Sequence, residues 1–225
     1  MSKIKLPHAS GNSMSIGAPA TNPDSDLEIK LPATIGTAHQ PLKNTSTPGT
    51  LEYGYRPGEI IETFMIPCNG SSYTVVSGTY TSENVTAVQS LTTSYVDLTG
   101  SSITYTPPSD AKVVIYKFSF HSDKDDNNPM FHLKLFLDGV EVERNRLTSW
   151  GNNNARQSVE WPFQIGGSAD TAIGKVASWT SGKTIKCQIR EYTSSYEGKV
   201  HETYHWDGTT GAHLVVPTIS ISSIA

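Results

Sequence analysis

The loop from His121 to Pro129 is the densest group of oxygen ligands in the chain, with the sequence His-Ser-Asp-Lys-Asp-Asp-Asn-Asn-Pro. Hard oxygen ligands at alternating positions could hold Ca²⁺. The EF-hand pattern fails here because, counted from Asp123, its sixth position is Asn128 rather than glycine and its twelfth is Lys134 rather than glutamate. The sequence of this loop therefore indicates a solvated hairpin connection rather than a metal site. We expect the protein to need no cofactor.

The seven histidines indicate no catalytic centre. The chain contains no nucleophile motif such as G-x-S-x-G. Residues 201–205, His-Glu-Thr-Tyr-His, have the letters of the zinc motif H-E-x-x-H, but that motif binds zinc on a helix and this segment is predicted to be a strand. His201 and His205 are four residues apart, which on a strand would place both on one face with Thr203. Two imidazoles without a third ligand are a weak zinc signal. We expect the histidines at the surface or in a subunit interface.

Glycoside hydrolysis would require two carboxylates that face each other across a cleft. Acidic residues on outward strand faces are common solubilising features, and the sequence alone pairs no two of them. We therefore predict that the protein is not an enzyme. The available acidic residues are Glu141, Glu143, Glu191, Glu197, Glu202 and Asp207.

Three polar, loop-like segments carry large aromatic side chains beside amides, hydroxyls and glycines. Rigid rings supply contact area at low entropy cost and small polar groups supply hydrogen bonds, a mixture that resembles carbohydrate-recognition surfaces. The same residues would equally suit the end of a sandwich or a subunit interface. The candidate glycan-binding residues are Trp150, Asn152, Asn153, Tyr192, Tyr196, Tyr204 and Trp206.

Composition narrows the class of protein. Hydrophobic residues make up 36% and charged residues 17%, and a chain filled instead with serine, threonine, glycine and asparagine is typical of many turns and half-buried strands. A net charge of −4 without a basic cluster argues against nucleic acid as a partner. No secretory signal or membrane-spanning run is visible, so we expect synthesis in the cytoplasm, no membrane insertion, and buried thiols at Cys68 and Cys187.

Residues 55–225 show the alternation of a β-sandwich. Val114, Tyr116, Phe118 and Phe120 share one predicted face, and Asp138-Gly139 predicts a type I′ hairpin. About ten strands without a long helical stretch predict an all-β, jelly-roll-like β-sandwich head. The predicted strands are 60–66, 73–80, 85–98, 101–106, 111–121, 131–137, 140–143, 156–165, 175–179, 183–192, 199–206 and 213–224.

Residues 1–54 contain no aromatic side chain before Tyr53, and the phrase Ile-Lys-Leu-Pro occurs at Ile4 and again at Ile29. Frequent breakers leave only short extended pieces, which cannot bury enough apolar surface to offset their backbone entropy. Three chains wound together would supply the missing neighbours, whereas a linear disordered tail is the alternative. The predicted virion-docking and trimerisation residues are Ile4, Leu6, Met14, Ile16, Leu27, Ile29 and Leu31.

The sequence resembles tail fibres and related virion appendages of tailed phages, particularly those of marine bacteria and cyanobacteria. The resemblance spans nearly the whole chain and implies a homotrimer whose N-terminal segment docks to other virion proteins and whose C-terminal β-sandwich forms a knob. The phrases that carry it are Leu31-Pro-Ala-Thr-Ile-Gly36-Thr, Gln40-Pro-Leu-Lys43, Gly49-Thr-Leu51, Leu98-Thr-Gly-Ser-Ser-Ile103-Thr-Tyr-Thr-Pro107-Pro, Phe131-His-Leu-Lys-Leu-Phe-Leu-Asp138-Gly, Ile165-Gly-Gly167, Ala177-Ser-Trp179-Thr and Ile219-Ser-Ile.

Together these features predict a phage virion structural protein, a short trimeric tail fibre or spike whose head binds a host surface glycan. The alternative is a capsid fibre or decoration protein without dedicated receptor binding, since similar modules occur at several positions on such particles. A glycan depolymerase is a third hypothesis. All three place the protein in the virion.

Overall fold

The computed structural model describes residues 3–7, 11, 13–17, 21, 23, 28–36, 38–123, 129–150, 154–204 and 212–225. The chain divides into two compact units, Met1–Gly54 and Tyr55–Ala225, called here the N-terminal unit and the C-terminal unit. No helix in this described part of the chain is long and apolar enough to cross a membrane.

The described residues of the N-terminal unit form two small antiparallel hairpins. Strands β1 (Lys3–Pro7) and β2 (Ser13–Gly17) pair with Ile4 opposite Ile16, and β3 (Leu42–Asn44) pairs with β4 (Leu51–Tyr53). The two Ile-Lys-Leu-Pro phrases differ in structure. The first lies in β1, whereas the second contributes only an isolated parallel bridge between Lys30 and Thr50.

The C-terminal unit consists of antiparallel strands with one short 3-10 helix at Thr171–Ile173 among its described residues. Its strands are β5 (Ile60–Pro67), β6 (Ser72–Val75), β7 (Gly78–Thr81), β8 (Gln89–Ser90), β9 (Val96–Asp97), β10 (Ile103–Tyr105), β11 (Val113–Asp123), β12 (Met130–Leu137), β13 (Val140–Glu141), β14 (Leu147–Trp150), β15 (Ala155–Gln164), β16 (Lys183–Glu191), β17 (Lys199–Val200), β18 (Glu202–Tyr204), β19 (Ala212–Leu214) and β20 (Thr218–Ile224).

Two six-stranded sheets form the sandwich. In the first sheet β11 pairs with β15 on one side and with β20 and β17 on the other, and β5 and β8 lie beyond these two. In the second sheet β12 and β16 are central, with β13 and β14 along one side and β9 and β10 along the other. The buried side chains of both sheets belong to one hydrophobic core. The predicted all-β, jelly-roll-like sandwich is confirmed.

Alternation along the strands determines which side chains form this core. Val114, Tyr116, Phe118 and Phe120 of β11 are at most 1% exposed, as their period predicted. On β12 every second side chain is buried in the same way, namely Phe131, Leu133, Leu135 and Leu137.

The predicted hairpin turn and the predicted buried thiols are both confirmed. Asp138 and Gly139 have φ values of 53° and 81°, the positive pair that a type I′ hairpin requires. Pro162 lies on β15, which is an edge strand and therefore tolerates the missing N–H. Cys68 and Cys187 are free and buried, and burial raises the pKa of each thiol to about 12.

Several predicted strands are shorter or interrupted. The segment 73–80 forms the hairpin of β6 and β7, in which Val75 pairs with Gly78 across a turn at Val76 and Ser77. Residues 175–179 contain isolated bridges and no strand. His201, at a φ of 67°, separates β17 from β18, and its side chain is fully buried within the chain rather than at the expected surface. Pro217 separates β19 from β20, because proline has no N–H for a ladder.

Candidate functional site

Two of the predicted glycan-binding aromatics lie in one row on the outer face of the second sheet. Trp150 of β14 is directly opposite Met130 of β12, and the N–H of Tyr192, just after β16, donates to the Met130 carbonyl at 2.9 Å. Opposed residues of antiparallel strands share a face. The Trp150 and Tyr192 side chains are 65% and 57% exposed. We call Trp150, Met130 and Tyr192 the aromatic row.

Tyr196 extends this surface, since its ring centroid lies 6.2 Å from that of Tyr192. The side chains of the remaining predicted residues of the glycan surface lie outside the description. Tyr204 ends β18, and its side chain lies outside the described residues, as do Asn152, Asn153 and Trp206.

The predicted docking residues occupy the N-terminal unit in two ways. Ile4 and Leu6 lie in β1, opposite Ile16 and Met14 of β2. Leu27 lies outside the described residues, whereas Ile29 is described and is 70% exposed. Exposed apolar side chains recur in this unit: Ile16 at 62%, Leu31 at 75% and Ile35 at 94%.

A cleft of about 380 Å³ adjoins the aromatic row on the same outer face. His132 is opposite Arg190 of β16, and Lys134 lies two residues farther along β12 on the same side. Arg146, just before β14, and Tyr95, just before β9, also belong to the polar lining. These five residues define the cationic cleft, and Tyr192 lines it as well.

The charges of the cleft are unbalanced. Glu141 of β13 is the carboxylate that pairs with two of its cations, at 2.9 Å from Lys134 Nζ and 2.6 Å from Arg146 Nε. These hydrogen bonds, the one from Arg146 foremost, lower the pKa of Glu141. Arg190 adds a third cation, so the group carries a local excess of positive charge on a chain whose net charge is −4.

Tyr95 holds two of these cations in place. Lys134 Nζ lies 4.6 Å and the Arg190 guanidinium carbon 5.3 Å from the centroid of its ring, within the range of cation–π attraction. The Arg190 guanidinium also donates from Nη1 to the Thr93 carbonyl at 3.3 Å. Lys134 and Arg190 are therefore both held by contacts within the chain.

His132 is a neutral member of the cleft. Its Nδ1 lies 2.6 Å from the Tyr95 hydroxyl oxygen. Burial, and then the nearby charges of Lys134, Arg146 and Arg190, lower its pKa. When Nδ1 accepts a hydrogen bond from the Tyr95 hydroxyl, Nε2 carries the ring proton and is a hydrogen-bond donor.

The sequence did not indicate the cationic cleft, because Lys134, Arg146 and Arg190 come from β12, from the segment before β14 and from β16. Only strand pairing brings them together. The one available signal was the outward alternation of His132 and Lys134 between core residues of a single strand.

The predicted acidic loop lies largely outside the described residues, which include only His121–Asp123 and Pro129 of it. Within the part of the chain that is described, no group of three or more histidine, cysteine, aspartate or glutamate side chains could hold a metal ion. The cationic cleft has the opposite character, since its lining donates hydrogen bonds and attracts anions.

No protein-family model matches the sequence, and no curated protein matches it. Among solved structures the chain is similar to one in the structure of the infectious bursal disease virus Gx strain, with a TM-score of 0.32 and 11% sequence identity. The similarity covers 79% of this chain and 40% of the viral chain. This chain thus matches less than half the length of that one.

Proposed function

We propose that this chain is a virion structural protein of a tailed phage and that its C-terminal unit binds a glycan of the host surface. The observation that carries the proposal is the aromatic row, in which two large rings stand more than half exposed on one face of a sheet. Exposed apolar groups that cluster rather than scatter mark interaction sites. Sheet pairing fixes their spacing, so little entropy is lost when a sugar ring packs against them.

The proposed assembly is a homotrimer that docks to other virion proteins through residues 1–54. Its support is the exposure of Ile29, Leu31 and Ile35, which are 70%, 75% and 94% accessible in the single chain. Full burial of such a side chain contributes about 1.5–3 kcal/mol. Three copies that pack these side chains against one another would bury them.

The full-length protein incubated with envelope polysaccharide from the host bacterium tests the glycan-binding function. We expect saturable binding without shortening of the polysaccharide, and a loss of at least about tenfold in affinity for Trp150→Ala and Tyr192→Ala. Tyr73→Ala is the matched control, since Tyr73 is a 49% exposed aromatic on the β6–β7 hairpin.

The other outcomes identify the other functions. Shortened polysaccharide chains would establish a depolymerase and overturn the assignment as a binding protein. No binding and no cleavage would leave a capsid fibre or decoration protein without a receptor. Equal losses in all three variants would show that the aromatic row is not the binding surface.

A further inference from the structure

We infer that the cationic cleft binds the acidic group of a host glycan, a carboxylate or a phosphate, while the sugar ring that carries it packs on Tyr192. This inference rests on the proposed glycan-binding function and names the class of glycan. Its basis is the juxtaposition of a cation cluster and the aromatic row on one sheet face.

The first argument is charge. Three cations, Lys134, Arg146 and Arg190, line the cleft, and Glu141 forms ion pairs with only the first two of them, while the chain as a whole has a net charge of −4. A concave site lined by one sign of charge concentrates ligands of the opposite sign. The chain as a whole repels anions, whereas the cationic cleft attracts them.

The second argument is the state of Arg190. Its Nε is buried and has no hydrogen-bond partner among the described residues, and no carboxylate of those residues forms an ion pair with it. The buried Nε is out of reach of a ligand, but Arg190 lines the cleft without a carboxylate partner among the described residues. A bound oxyanion would supply that partner through the outer guanidinium nitrogens, and an arginine fork suits carboxylate and phosphate alike.

The third argument is space and continuity. The cleft volume of about 380 Å³ lies within the usual range for small-ligand sites. Tyr192 lines the cleft and also belongs to the aromatic row. One residue of a glycan can therefore place its acidic group beside Arg190 and its ring against Tyr192, and the next residue can continue toward Trp150.

Titration calorimetry of the full-length protein tests this inference with three probes: trigalacturonate, glucose 6-phosphate and the neutral trisaccharide maltotriose. We expect binding of at least one acidic probe, weakening as salt screens the charges, and at least about tenfold weaker binding of maltotriose. The acidic probe that binds tells whether the group recognised is a carboxylate or a phosphate.

Substitutions with opposite expected signs separate charge recognition from a general loss of folding. Arg190→Gln should weaken the acidic probe about tenfold or more, and Arg146→Gln, at a half-exposed side chain, should weaken it by a smaller factor. Glu141→Gln should instead tighten binding severalfold, because it releases two cations from their carboxylate. Arg156→Gln, on the exposed edge strand β15, is the matched control and should leave affinity unchanged.

Maltotriose bound as tightly as the acidic probes would overturn the inference and leave glycan binding intact. The inference also fails if host polysaccharide binds but none of the three probes does, or if Glu141→Gln weakens binding as Arg190→Gln does. Failure of every probe and of the host polysaccharide would refute the proposed function itself.

Discussion

Tyr105→Phe removes one hydroxyl from a buried polar network and should destabilise the C-terminal unit by about 2–4 kcal/mol. Tyr105 is fully buried; its hydroxyl donates to Glu62 Oε1 at 2.6 Å and lies 2.5 Å from Ser223 Oγ. The same carboxylate accepts from the Ser77 N–H at 3.0 Å and from the Ser77 hydroxyl. The network ties β5, β10 and β20 to the β6–β7 hairpin.

The magnitude follows from the two partners. A hydrogen bond to a charged group contributes about 1.5–3 kcal/mol, and an acceptor or donor left unsatisfied in the core adds to the loss. Phenylalanine preserves the ring, which packs at 5.0 Å from the Tyr80 centroid and 6.4 Å from that of Trp179, so the change isolates the hydroxyl.

Tryptophan fluorescence during urea unfolding measures the effect, because all four tryptophans belong to the C-terminal unit. Trp179 is a local reporter, since its indole N–H donates to the Tyr105 carbonyl at 2.9 Å. A thermal scan should show a melting point lower by roughly 4–16 °C. Tyr73→Phe makes the same chemical change at a half-exposed ring and should cost under about 0.5 kcal/mol. A cost for Tyr105→Phe no larger than that of the control would refute the reasoning.

Three further predictions concern pH, backbone and assembly. Burial lowers the pKa of His201 to about 4, so the unfolded state binds more protons in acid, and the unfolding free energy should fall by up to about 3 kcal/mol as the pH drops from about 6.5 to about 4. His201→Asn, which suits the left-handed backbone there, should flatten this pH dependence, and an unchanged slope would exclude His201 as its source. Gly100→Ala should cost more than about 2 kcal/mol in denaturant unfolding, because φ is 82° and the new methyl group would lie 2.7 Å from Val85; a neutral result would contradict this close packing. Sedimentation velocity should show a trimer for the natural chain and smaller species for Leu31→Ser with Ile35→Ser; a natural chain that sediments as a monomer would rule out the proposed trimer.

The strand faces of the sandwich could be predicted from sequence because alternation is a local property. The buried set Val114, Tyr116, Phe118 and Phe120, and the positive φ pair at Asp138 and Gly139, depend only on neighbouring residues and the period of a strand. Breaks in strands were harder to predict. The interruption at His201 involves hydrogen bonds to His121 and Val215, and contacts between distant segments have no local signature.

The sequence by itself determined the all-β class, the core faces and the presence of exposed aromatic candidates such as Trp150 and Tyr192. Only the tertiary structure decided that these two stand in one row with Met130, and that Lys134, Arg146 and Arg190 converge beside them. The physical reason is pairing. A side chain's face follows from its own strand, whereas its neighbours across a sheet depend on strand order and register, which are set by the packing of the whole core.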